Sequence, residues 1–147
     1  MQVFPFVVTI GNELLERAEA SDDMLEKFYL DAIGNLALNK TRRYLENHLR
    51  DRFTISCLSH LSPGSLPDWP IEEQLNLFSL LNGVERAIHV RLTDNFLMIP
   101  TKSVSGIFFP TEMPFQSCQL CPRDPCPGRR AAYSEMLLKE YGLTPGT

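Results

Sequence analysis

The sequence predicts an α+β fold, a single domain with helices packed on an antiparallel β-sheet. Runs of helical pattern come first, and strand-like pieces (AIHVRLT, FLMIP and SVSGIFF) follow in the second half. Short polar connections, Thr93-Asp94-Asn95 and Thr101-Lys102, separate those pieces as in an antiparallel meander. A length of 147 residues suits one domain with a real core and is too short for two ordinary ones.

VFPFVVTIG opens the chain with an apolar run that reads as a strand or a docking arm. Leu14, Leu15 and Ala18 then give a one-sided helical pattern over Asn12 to Ala20. Ser21-Asp22-Asp23 supplies an N-cap and an acidic first turn for a longer helix reaching to about Arg50. Met24, Phe28, Leu30, Ile33, Leu36, Leu38, Leu45 and Leu49 form its broad apolar face. Gly34 inside that helix costs about 1 kcal/mol relative to Ala, which points to a close approach by a packed neighbour. Phe53 to His60 has strand composition and alternation, and the Pro- and Gly-rich loop LSPGSLPDWP follows. A helix starts near Asp68 to Pro70 and stops at Asn82-Gly83. Beyond Pro110 the chain is rich in proline and cysteine, and AAYSEMLLKEYG predicts a last short helix. The expected organisation is one domain over 1–147: a core at 1–110, a Cys/Pro-rich segment at 111–130 and a helix at 131–142.

Hydrophobic residues make up 44% and charged ones 22%, a normal globular balance. The net charge of −4 gives no electrostatic reason to expect nucleic acid, and the longest basic cluster is Arg129-Arg130. No stretch approaches the roughly 20 apolar residues of a membrane span. The N-terminus lacks a basic n-region and a small-residue cleavage site, so the expected location is cytoplasmic. No Ser/His/Asp arrangement, phosphate loop or zinc-protease helix is present.

Four pieces occur in a fixed order from Ser62 to Pro110: Pro63-Gly64, Leu92-Thr93, Met98-Ile99-Pro100 and Ser103-Val104-Ser105-Gly106. In order and spacing they resemble the reactivation domain of cobalamin-dependent methionine synthase. The earlier VVTIGNELLE and FYLDAIGNLALN are similar to short stand-alone versions found in anaerobic microbes. The resemblance implies an activation-domain-like α+β fold and an accessory role rather than a complete enzyme. In that family the domain binds S-adenosylmethionine beside the corrinoid, so that one-electron reduction and methylation restore the methylated cofactor. The corrinoid belongs to a partner methyltransferase protein, and an electron donor acts in trans.

Carried onto this chain, the resemblance implies cofactor-binding roles for Asn39, His60, Ser62, Pro63, Gly64, Ser103, Ser105 and Gly106. A bare Gly64 or Gly106 permits close backbone approach, whereas a turn glycine or a strand bulge accounts for each equally well. Three positions depart from the family: its arginine before the loop falls at His60, its loop tyrosine at Ser65, and its helix glutamate at Asn39. Phe115 is the nearest counterpart of a later family aromatic.

CQLCPRDPC places Cys118, Cys121 and Cys126 in nine residues. Cys-x2-Cys lets two thiolates approach one ion, and Cys126 returns across Pro122 and Pro125. With Cys57, a histidine (His48, His60 or His89) or water as fourth ligand, zinc or an iron–sulfur cluster would be satisfied. Arg129 completes a C-x2-C-x4-C-x2-R tail similar to that of short family members. A metal site, reduced structural cysteines and a disulfide are the readings this spacing allows. A metal- or iron–sulfur-binding redox or interaction module on the same fold, without S-adenosylmethionine, is the alternative function.

Overall fold

The computed structural model describes residues 2–66, 68–112, 115–126 and 129–140. Three strands form an antiparallel sheet in the order β1–β5–β2: β1 is Phe4–Thr9, β2 is Leu58–Leu61 and β5 is Ser103–Pro110. Strand alternation sets its inner face, with Phe6 opposite Gly106, Val8 opposite Val104 and His60 opposite Phe108. Phe6, Val8, Leu58 and Phe108 make the buried cluster, and the Phe6 and Phe108 rings stack 4.3 Å apart. Against it lies α2, Met24–Phe53, through Leu38, Leu45 and Leu49.

The start of α2 follows its sequence signals. Asp23 caps it by accepting from the Leu25 N–H at 2.8 Å, and Ser21 donates to Glu26 at 2.6 Å. Arg17 on α1, Glu13–Ala20, pairs with the same Glu26 at 3.0 Å and fastens the two helices. The other end corrects the expected strand at Phe53 to His60. The helix runs through Phe53, whose ring meets Phe4 at 4.8 Å, and stops at Thr54 in the left-handed region (φ 55°). Arg50 then donates to the Ser56 carbonyl at 2.8 Å, so pairing begins only at Leu58.

The apolar face read for α2 also divides. Leu30, Leu38, Leu45 and Leu49 turn inward, while Met24, Phe28, Ile33 and Leu36 are exposed with Leu25 and Tyr29. Gly34 does allow a close approach. The Lys102 side chain crosses there, its Cε 3.3 Å from where a Cβ would stand, and reaches Asp31 at 2.6 Å and Asn35 at 2.7 Å.

The expected meander is not one sheet. Its first piece begins in helix at Ala87 and Ile88: α4, Val84–Ile88, starts at Gly83 (φ 82°) and ends at His89 (φ 57°). The Asn82-Gly83 stop signal thus also launches a new turn, and only β3, Arg91–Leu92, is left to pair with β4, Met98–Ile99, as a separate ribbon. A buried polar chain ties this ribbon to the sheet. The Ser105 hydroxyl donates to Gln74 Oε1, and Gln74 Nε2 donates to the Phe96 carbonyl at 2.6 Å. Gln74 opens α3, Gln74–Leu80, after a 3-10 turn at Ile71–Glu73. The last helix is shorter than expected within the described residues: α5 spans Glu135–Glu140, with Leu138 buried, and positions 141 and 142 lie outside them.

Candidate functional site

A continuous trench runs between α2, the β2 and β5 strands and the segment after β5. Its outer cleft has a volume of about 660 Å³. From α2 it takes Asn39, Arg42, Arg43 and Glu46, whose i, i+3, i+4, i+7 spacing puts them on one helix face. From β2 come Leu58 and His60, and from the later segment Phe115, Gln116, Arg129 and Arg130. Asn39, Arg42, His60 and Arg130 also line a middle compartment of about 310 Å³, where Ser62, Ser103 and Val104 join them. Those last three continue into an inner compartment of about 280 Å³ with Phe96, Leu97 and Met98. One end of the trench is therefore cationic and the other mostly apolar.

Arg42 is the pivot of the cationic end. It is only 6% exposed, and its Nη1 lies 3.3 Å from Glu46 Oε2 and 3.3 Å from His60 Nδ1. A guanidinium can only donate, so His60 Nδ1 accepts and the ring proton sits on Nε2. Burial, then Arg42 and Arg130, push the His60 pKa down to about 4, and the imidazole is neutral at neutral pH. The Arg42 pKa is also lowered, mainly by burial and then by Arg130, against the opposing pull of Glu46. The positive charge beside His60 comes from Arg42 on α2 and from Arg130.

The segment after β5 is strapped to the sheet. Phe115 N–H donates to Ser59 Oγ at 2.9 Å, and that hydroxyl lies 3.0 Å from Thr111 Oγ1. Farther along, the Arg129 guanidinium donates to the carbonyls of Cys118 (3.1 Å), Cys121 (3.1 Å), Ala131 (3.3 Å) and Arg123. In the cysteine segment it is thus a guanidinium that gathers the backbone carbonyls. All four cysteines are free and partly buried, and Cys57 lies near the Thr111 hydroxyl at 3.5 Å. Among the described residues, no group of three or more His, Cys, Asp or Glu side chains stands where it could hold a metal ion.

The trench brings together Asn39, His60, Ser62 and Ser103, four of the residues singled out from the sequence. Pro63 and Ser105 line the inner compartment, although the Ser105 hydroxyl is committed to Gln74. Ser103 is also engaged locally, 2.6 Å from the Pro100 carbonyl and 2.9 Å from Thr9 Oγ1. Gly64 is a turn glycine (φ 80°) facing Ile71, and it lines none of these three compartments. Gly106 answers to packing, since a Cβ there would stand 2.2 Å from the Leu61 carbonyl oxygen. Ser65 closes the loop on itself, donating to the Ser62 carbonyl at 2.5 Å. Sequence reading missed Arg42, Arg43 and Arg130. Their one signal was two Arg-Arg pairs, 87 residues apart by position (130 − 43), which only the fold makes neighbours.

No curated protein matches the chain. Residues 62–118 match the family model for the activation domain of vitamin B12 dependent methionine synthase, so the chain resembles that domain across its loop, α3, the β3–β4 ribbon and β5.

Proposed function

We propose that the protein is a reactivation-type accessory domain that presents S-adenosylmethionine to a corrinoid held by a methyltransferase partner. The carrying observation is the single trench onto which Asn39, His60, Ser62 and Ser103 converge from separate elements, cationic at one end and apolar at the other. That polarity fits the ligand: Arg42 and Arg130 suit its carboxylate, and the Phe96, Leu97 and Met98 end suits its adenine ring. Glu46 is the acidic group available to the ammonium or sulfonium. When bound, S-adenosylmethionine supplies the methyl group, and the chain's residues bind and orient it. The protein acts with a corrinoid-bearing partner and an electron donor, in the cytoplasm. No helix among the described residues is long and apolar enough to cross a membrane.

Calorimetric titration tests this reading. S-adenosylmethionine is expected to bind saturably and, at a hundredfold excess over Kd, to stabilise the fold by about 2.7 kcal/mol. Absence of both heat and thermal stabilisation at millimolar ligand contradicts it.

A further inference from the structure

Four arginines line the outer cleft; Arg129 is spent on backbone carbonyls, which leaves Arg42, Arg43 and Arg130, and among the described residues Glu46 is the one carboxylate lining it. Arg42 spends one N–H on that carboxylate at 3.3 Å. Among the described residues, neither Arg43 nor Arg130 has an acidic partner within 4.0 Å. The fold imposes this crowding: Arg42 and Arg43 are consecutive on a rigid helix, and the Arg129 clamp fixes the backbone next to Arg130. The Arg42 pKa is lowered by burial first and then by Arg130 and, more weakly, Arg43, with Glu46 opposing them. Like charges gathered in a cleft with a single carboxylate to answer them mark a place where an anion completes the electrostatics.

A carboxylate has two oxygens, enough for one guanidinium fork. Guanidiniums reaching one cleft from two elements, α2 and the segment after β5, suit an anion with acceptors pointing several ways, as a tetrahedral phosphate has. We propose that the outer cleft is a binding site for a phosphate-class oxyanion, free or as a monoester, held by Arg43 and Arg130 at the mouth with Arg42 beneath. The site goes beyond the S-adenosylmethionine reading. That ligand brings a single carboxylate and is itself cationic overall, so it leaves the excess positive charge of the cleft unanswered.

The test is titration of the full chain with inorganic phosphate, methyl phosphate and acetate at matched ionic strength, followed by calorimetry and thermal shift. Wild-type protein should bind phosphate or methyl phosphate saturably below about 10 mM, and acetate at least tenfold more weakly. A preference between the two phosphates tells a free anion from an ester. Arg43→Gln and Arg130→Gln, both at exposed positions, should each weaken binding at least fivefold with unchanged circular dichroism. An acetate response equal to phosphate, no saturation in the wild type, or a double variant that binds like wild type overturns the proposal. S-adenosylmethionine titrated into the same samples separates the two claims. Phosphate binding without a response to it keeps this site and contradicts the earlier reading, and the reverse result overturns this site alone.

Discussion

His60 shows how one side chain reports the electrostatics of the cleft. Burial first, then the neighbouring Arg42 and Arg130, push its pKa down to about 4, so it stays neutral in the folded protein. In the unfolded chain its pKa returns to about 6.5, so the unfolded state binds more protons between those values. Its contribution is therefore complete above about pH 6.5 and is lost as pH falls toward 4. After allowance for its partial exposure, the loss is about 1–2 kcal/mol. His60→Gln, which cannot titrate, is expected to flatten that part of the stability–pH curve, as read by urea denaturation at several pH values. An unchanged slope would mean that burial and the two arginines do not depress the His60 pKa. The glycines give a second prediction at this scale. Gly106→Ala sets a methyl group against the Leu61 backbone and is expected to cost about 2–4 kcal/mol. Gly34→Ala meets only the flexible Lys102 side chain and gains helix propensity, so it should stay within about 1 kcal/mol of wild type.

Among the elements, α2 and the strap after β5 make the site, and they differ in how far the sequence revealed them. The start of α2 was legible because capping is local chemistry: Asp23 and Ser21 act within five residues of their partners. Its end was not, because Phe53 belongs by composition to a strand and by packing on Phe4 to the helix. The same competition moved Ala87 and Ile88 from an expected strand into α4, where a left-handed Gly83 and His89 bracket a short turn of helix. The cysteine knuckle was legible as a compact turn, but the group at its heart was not, since spacing alone does not say whether carbonyls or thiolates face inward. Because Arg129 bridges four carbonyls, Arg129→Ala is expected to loosen the strap. The readout is faster amide exchange over residues 116–126, with exchange in β1 and β5 unchanged. Arg129→Lys, with no planar fork, should rescue only part of the protection. Protection equal to wild type in the alanine variant would show that the clamp contributes nothing.

The molecule as a whole carries a net charge of −4, which gave no electrostatic reason to expect nucleic acid. A cationic cleft is compatible with that total, because net charge sums over the surface whereas a site feels only nearby groups. The motifs from Ser62 to Pro110 pointed to the activation-domain family, and residues 62–118 match its model. They could not reveal that Arg42 on α2 and Arg130 beyond the cysteines meet beside His60, since only the tertiary fold connects strand, helix and strap. The central claim is that this trench is where S-adenosylmethionine sits. The most direct test is two-dimensional NMR of labelled protein titrated with S-adenosylmethionine. The account predicts saturable shifts at the Asn39 side-chain amide, the Ser62 and Ser103 amides and the Arg130 Nε–H. Shifts confined to other surfaces, or none at saturating ligand, would contradict it.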